Sequence, residues 1–165
     1  MKKLFLIVAI IAAVFSWNTF VAKKQKELDN SPPQPISKPM YAEVRVEKSA
    51  GDRSIEFVLL AETIDINDCN STRVAMPKDM HTACAGCRLK SSECKADLEP
   101  RYAKLFKNQP THLTYLSIGR GAQKEREMRL LTWGLSLEES NKLCELVPKF
   151  QQMVTGAVSC VRALN

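Results

Sequence analysis

The sequence lacks the motifs that identify most enzyme classes. It contains no phosphate-binding glycine loop, and no serine, histidine and aspartate follow one another in a hydrolase order. Its glycines are few, and the two in Gly119-Arg120-Gly121 are typical of a hairpin turn rather than of an anion-binding loop. We therefore favour a non-enzymatic protein, with no catalytic residues and no cofactor.

A basic stripe for nucleic-acid binding is also absent, although the formal net charge is +6. Residues 1–39 contain six lysines and two acidic residues, which leaves 18 basic and 16 acidic residues in the remaining chain. There, charges of opposite sign alternate, as in Lys124-Glu125-Arg126-Glu127, which is typical of a solvated face. We therefore predict that nucleic acid is not a partner.

Long hydrophobic runs are absent except near the N-terminus, where Leu4–Ala22 is interrupted by three polar residues. As a helix this run would measure about 28 Å, close to the hydrocarbon thickness of a bilayer. The alternative is a cleaved signal peptide, but the large Phe20 disfavours cleavage before Lys23, and only a site before Trp17 is tolerable. We predict that residues 1–22 are a membrane anchor, with a signal segment as the alternative.

No cysteine directly follows this run, which excludes a lipoprotein anchor at that point. Lysines flank the run on both sides, so charge does not fix its orientation. Six cysteines behind an export signal are typical of a disulfide-bonded protein outside the cytosol. We therefore predict that residues 40–165 are extracytoplasmic, and periplasmic in a Gram-negative cell. Reduced thiols in a cytosol-facing domain are the alternative.

Residues 23–39 differ in composition from both neighbours. They contain four of the eight prolines and few side chains that could pack into a core. Proline fixes φ and removes a hydrogen-bond donor, so we predict an extended, semi-rigid linker that holds the domain off the bilayer.

The residues after this linker predict an α+β domain. Apolar and charged residues alternate in Tyr41–Lys48, which predicts a half-buried strand, and Ile55–Ala61 predicts its hairpin partner. Ser136 and Glu139 form a capping box at the start of a helix, in which Pro148 predicts a kink or a break. Further elements are predicted as a helix at 97–108, strands at 112–118, 127–135 and 157–164, and an irregular cysteine-rich connection at 70–89. The order ββ-α-ββ-α-β predicts a disulfide-stapled antiparallel sheet with helices on one face.

An internal similarity accompanies this order of elements. A shift of 71 positions places Glu56, Leu59 and Leu60 on identical residues. Three identities in a short stretch are few, so duplication of a ββα unit is a hypothesis that the shared order of elements supports.

The cysteines allow 15 pairings. Of these we favour Cys144 with Cys160, because a disulfide there would join the last predicted helix to the last predicted strand. The other four remain unassigned as disulfide candidates, and they are Cys69, Cys84, Cys87 and Cys94.

Three other interpretations of the Cys84-x-x-Cys87 segment compete with a structural staple. Together with His81 and Cys94 it supplies the donors for tetrahedral zinc, although the second spacing is longer than usual. The spacing of Cys84 and Cys87 is also that of thioredoxin-like redox pairs, but the preceding residues are not typical of a strand. Covalent haem attachment is excluded, because Arg88 stands where histidine is required. We favour structural disulfides and predict no metal.

These expectations combine into one hypothesis of function. The protein is a single-pass, membrane-anchored domain that binds or supports a protein partner in the cell envelope, through a sheet edge or a connecting loop. The alternative is a thiol-redox or zinc-binding protein that acts through Cys84 and Cys87.

Overall fold

The structure, a computed structural model, describes residues 30–84 and 86–164, apart from the side chains of residue 50 and residues 78–83. The predicted anchor, Leu4–Ala22, lies outside these residues and therefore remains a prediction. Within the described part of the chain, no helix combines the length and the apolar character needed to cross a membrane.

In the described part of the chain, six strands form a single antiparallel sheet, and one long and several short helical segments connect them. The strands are β1 (Met40–Ala50), β2 (Arg53–Thr63), β3 (Arg88–Lys95), β4 (Tyr115–Ile118), β5 (Met128–Trp133) and β6 (Val158–Val161). The α-helices are α1 (Ile66–Ala83), α2 (Pro100–Ala103), α3 (Leu137–Asn141) and α4 (Val147–Gln151), with 3₁₀ turns at Leu105–Lys107 and Lys142–Leu146. The strand order is β3-β1-β2-β5-β4-β6, so the α+β class and the antiparallel sheet are confirmed.

The first hairpin follows from the alternation of its residues. Val44 of β1 lies opposite Leu59 of β2, so every second residue of both strands faces the same side. Gly51 occupies the turn with φ of +67°, a left-handed conformation that glycine adopts without a steric penalty. The predicted hairpin is therefore present, and both of its strands extend beyond the predicted bounds.

The prediction that helices cover one face only is wrong. On one face, Cys69 and Met76 of α1 pack against the cluster that contains Val44. On the other face, Tyr102 and Leu105 pack against the strand residues Val58, Leu60, Tyr115 and Leu131. Because Val58 and Leu60 alternate with Leu59 along β2, the two clusters lie on opposite sides of the sheet.

The irregular connection predicted at 70–89 is also wrong, because α1 and the start of β3 occupy most of it. Helix α1 was missed because it has no evident apolar stripe. Among its described side chains, only Cys69 and Met76 are buried. Its start is instead fixed by Asp65, whose carboxylate accepts hydrogen bonds from the amides of Asn67 and Asp68.

Pro77 lies inside α1 and has no amide to bond the carbonyl of Arg73. The hydroxyl of Ser92 in β3 donates to that carbonyl at 2.7 Å, which satisfies it from outside the helix. Pro148 instead lies in the first turn of α4, where no intrahelical bond is lost. The last helical segment is accordingly divided into α3, a 3₁₀ turn and α4, which confirms the predicted break.

The sheet supports the duplication hypothesis. Its order can be divided into β3-β1-β2 and β5-β4-β6, and the two halves meet at the β2–β5 pair, where Leu59 lies opposite Leu130. These two leucines are themselves 71 positions apart, as are the first residues of α1 and α3 and the prolines Pro77 and Pro148. The chain is therefore organised as two ββαβ units with an approximate two-fold relation.

Candidate functional site

Each of the six cysteines is in a disulfide. Cys69 in α1 pairs with Cys94 in β3, and Cys84 pairs with Cys87 in the turn between these two elements. Cys144 pairs with Cys160, which is the pair that the sequence favours. Two of the three disulfides therefore join a helical segment to the outer strand of its own unit.

The geometry around Cys84 and Cys87 does not resemble an activated redox pair. Cys84 directly follows the C-terminus of α1, where the helix dipole carries partial negative charge. Redox-active thiolates are instead stabilised at helix N-termini. Both cysteines are half-buried, so the disulfide is partly accessible to solvent.

Three of the four proposed zinc ligands, Cys84, Cys87 and Cys94, are bonded in disulfides. Cys94 is bonded to Cys69, and the side chain of His81 lies outside the described part of the molecule. Among the described residues, no three His, Cys, Asp or Glu side chains are placed to share a metal ion.

The sheet face of the first unit that α1 does not cover carries a charged network. Glu43 is only 3% exposed and accepts hydrogen bonds from Arg45 at 2.6 Å and Lys95 at 2.7 Å. Burial opposes ionisation of Glu43, but the hydrogen bonds from Lys95 and Arg45 outweigh it and lower the pKa of this carboxyl. Arg45 also bonds Glu56 and the Tyr102 hydroxyl, so the network neutralises its own charges and supports α2.

Next to this network, a cleft of about 570 Å³ opens at the end of the sheet where β1 begins and β3 ends. We call it the Tyr41–Phe106 cleft. Its lining residues come from the linker, from β1, from the segment after β3 and from the helical segment beyond, and they are Lys38, Pro39, Tyr41, Ala96, Asp97, Leu98, Ala103, Phe106 and Lys107. The lining therefore combines aromatic and aliphatic side chains with two exposed lysines and the exposed Asp97.

The floor of the cleft is held by an aromatic pair and a buried arginine. The rings of Tyr41 and Phe106 pack edge to face, with centroids 5.4 Å apart. The guanidinium of Arg129 lies 4.7 Å from the Phe106 centroid and donates to the Leu105 carbonyl at 2.7 Å. It also bonds the Glu127 carboxylate at 2.5 Å, so the charge of a fully buried side chain is paired.

Nearby carboxylates shift the ionisation of the tyrosine in the cleft. Burial raises the pKa of Tyr41, and the negative charges of Glu62, Glu127 and Asp97 raise it further. Burial, followed by the charge of Glu127, raises the pKa of Glu62. The Tyr41 hydroxyl is therefore kept in its neutral form, as a hydrogen-bonding group next to an apolar pocket.

One wall of the cleft belongs to the linker, which is attached to the domain. The Gln123 amide donates to the Ser31 carbonyl at 2.8 Å, and the Gln34 amide donates to the side chain of Gln123 at 2.8 Å. Arg120 donates to the Gln34 carbonyl at 2.9 Å. Residues 31–34 of the predicted linker are therefore held against the domain and do not extend away from it.

Sequence reasoning did not identify the cleft or Arg129. One signal was present, because Arg129 is a charged residue within an apolar run that predicts a buried strand. Tyr41 and Phe106 carried no comparable signal, since aromatic residues in a strand and in a helix are usually part of a core.

No family model, curated protein or solved structure matches this sequence.

Proposed function

We propose that the protein is a membrane-tethered, extracytoplasmic module that binds a segment of a partner protein in the Tyr41–Phe106 cleft. The observation that carries this proposal is the composition of the cleft, in which apolar side chains are combined with two exposed lysines and one exposed aspartate. Such a combination of an apolar pocket and a few polar groups is typical of binding sites.

The lining residues define the chemistry of the segment. The edges of the Tyr41 and Phe106 rings and the side chain of Leu98 accept an apolar or aromatic side chain. Lys38 and Lys107 also line the cleft and outnumber its single acidic residue, Asp97, so they favour an acidic residue that flanks this side chain. The preferred ligand is therefore a short acidic segment with one apolar anchor residue.

The size of the cleft sets the expected strength of binding. One anchor side chain and its neighbours bury far less area than a stable protein interface, which takes about 1,600 Å². We therefore expect transient binding, with a Kd on the order of micromolar for an isolated segment, strengthened when both proteins are held in one membrane.

Site-specific photo-crosslinking in the native cells tests this proposal. A photoreactive residue at Ala96, in the cleft, should give one discrete adduct, whereas the same residue at Ser49, near the opposite end of β1, should not. The exposed substitution Lys107→Glu should abolish the Ala96 adduct without lowering the amount of protein. An adduct that persists in this variant, or appears equally from Ser49, would contradict binding in the cleft.

The placement outside the cytosol is supported by two observations. The hydrophobic run Leu4–Ala22 is long enough for a span, and the three disulfides fit an oxidising compartment. A fusion of alkaline phosphatase to the C-terminus should be active, because this enzyme matures only outside the cytosol. A silent fusion, with an active fusion to a cytosolic reporter, would overturn this placement.

Thiol-redox activity is the second candidate, favoured only by the spacing and partial exposure of the Cys84–Cys87 disulfide. Counting free thiols before and after mild reduction distinguishes thiol-redox activity from a purely structural disulfide. Two thiols released together, and removed by Cys84→Ser with Cys87→Ser, would favour redox chemistry. Resistance of all six cysteines would exclude it, and zinc bound to reduced thiols would instead favour a metal site.

A further inference from the structure

The end of the sheet from which the linker leaves carries exposed hydrophobic side chains. At this end β1, β5 and β6 begin, and β2, β3 and β4 end, as the antiparallel pairing requires. We call it the linker end. The bonds from Gln123 and Arg120 to residues 31–34 hold the linker against the loop between β4 and β5 at this end.

Three exposed apolar residues lie at the linker end, on the side of the sheet that α1 covers. Ile64, between β2 and α1, is 40% exposed, and Ile66, the first residue of α1, is 47% exposed. Met153, between α4 and β6, is 69% exposed. Nearby residues fix both segments to the loop between β4 and β5, because Asp68 bonds Arg126 at 2.7 Å and the Thr155 amide bonds Glu125 at 2.7 Å.

The length of chain before the docked linker limits how far this end can lie from a bilayer. Eight residues separate Ala22, the last residue of the predicted anchor, from Ser31. Fully extended, they reach at most about 29 Å, and a less extended path brings the linker end close to the headgroups. Since Lys23, Lys24 and Lys26 are in this segment, it also suits an anionic surface.

We infer that Ile64, Ile66 and Met153 contact the lipid surface and orient the domain with its linker end on the bilayer. Exposed aliphatic side chains of this kind insert into the boundary between headgroups and acyl chains. The inference rests on the membrane tether of the proposed function, and it adds that the domain lies on the membrane instead of standing away from it. The Tyr41–Phe106 cleft, at the same end, would then open near the membrane.

The duplication supplies a matched control. Leu137 is the position 71 residues after Ile66, and each is the first residue of its helix. Leu137 is 55% exposed, but α3 begins at the opposite end of the sheet, directly after β5. The two side chains are therefore alike in chemistry, exposure and local structure, and differ in the end at which they lie.

An environment-sensitive fluorescent amino acid at position 66 or 137 of the full-length protein, in vesicles of phosphatidylcholine and phosphatidylglycerol, tests this inference. With brominated acyl chains, the label at 66 should lose about half of its fluorescence, because the boundary region lies within reach of the bromines. The label at 137 should be unaffected. Equal, water-like emission from both positions would overturn the membrane contact.

Flotation of the same vesicles separates this inference from the tether. If the protein floats with the vesicles but its label at 66 is not quenched, the membrane tether is supported and the contact of the domain with lipid is contradicted. If the protein does not float, both the tether and the lipid contact are contradicted. As a second measurement, spin labels at Met153 and Ser49 should differ in the same way, with relaxation by a lipid-soluble reagent confined to Met153.

Discussion

The two ββαβ units share a plan but present different surfaces. The first unit, Met40–Lys95, and the second, Tyr115–Val161, each contain a hairpin, a helical segment and an outer strand, with a disulfide between the last two. One face of the first unit carries the charged network around Glu43 and Arg45, whereas the same face of the second unit contributes the apolar residues Tyr115 and Leu131 to the cluster of Tyr102 and Leu105. Strand pairing thus fixes the plan, and the side chains on this face decide whether it is polar or apolar.

The helical segments differ for a reason that the two prolines make clear. Helix α1 continues through Pro77 because Ser92 bonds the carbonyl that the proline cannot. In the second unit, α4 instead begins after a 3₁₀ turn, and Pro148 lies in its first turn. The same residue at the same position is therefore accommodated in two ways, and the neighbouring strand decides between them.

The largest expected difference between the units concerns their disulfides. Replacing Cys69 and Cys94 by serine should lower the free energy of unfolding by about 4 kcal/mol, and replacing Cys144 and Cys160 by about 3 kcal/mol. The first pair closes a separation of 25 residues and the second 16, and Cys69 is also fully buried. Urea unfolding without reductant measures both values.

The Cys84–Cys87 pair is the control for this prediction. Its separation is only three residues, so its removal should cost least of the three. A larger loss from this pair than from Cys144 and Cys160 would mean that chain entropy does not govern the ranking.

The buried arginine of the second unit should matter more than the half-buried one of the first. Arg129→Met leaves the Leu105 carbonyl and the Glu127 carboxylate without their donor, and should cost about 3 kcal/mol. Arg45→Met should cost less, about 2 kcal/mol, because Lys95 still pairs the buried Glu43 and Glu56 is partly accessible to water. Thermal or urea unfolding of the two variants compares them, and equal losses would contradict the difference in burial.

The contact that allows Pro77 to remain in a helix should be measurable in the first unit. Ser92→Ala removes the donor to the Arg73 carbonyl and should cost about 1–2 kcal/mol. Ser159→Ala, at an exposed position of the outer strand β6, should change stability by less than about 0.5 kcal/mol. Native-state hydrogen exchange should also show faster exchange in α1 for the Ser92 variant only.

The smallest expected effects are on the pH dependence of the free energy of unfolding. Glu43 of β1 and Glu62 of β2 change it in opposite directions. The lowered pKa of Glu43 contributes stability above its unfolded value of 4.5, which is lost as the pH falls through the folded pKa. The raised pKa of Glu62 contributes stability at acidic pH, which is lost as the pH rises from 4.5 through the folded pKa.

Two variants separate these contributions. Glu43→Gln should reduce the loss of stability below pH 4.5, and Glu62→Gln should reduce the loss above it. Urea midpoints measured across this range give the slopes. The same change in slope from both variants would show that their environments do not differ in the way described.

Several elements could be predicted because their signals are local. The alternation in Tyr41–Lys48 gave the first strand, and the Ser136 capping box is present with both of its hydrogen bonds. Strand β3 was missed because it is an edge strand whose residues are mostly polar, so it has no apolar alternation. The cleft could not be predicted either, since Tyr41 and Phe106 are distant in the chain and meet only through packing.

By itself, the sequence determined the α+β class, the position of the first hairpin, the capped start of α3 and the break near Pro148. These features depend on periodicity, capping and proline chemistry within a few residues. Only the tertiary structure decided that helices cover both faces, that Ser92 supports α1, that the linker docks, and that Tyr41 and Phe106 form a cleft. The reason is that these features depend on contacts between residues far apart in the chain, and no local pattern encodes which distant side chain completes a hydrogen bond or covers a face.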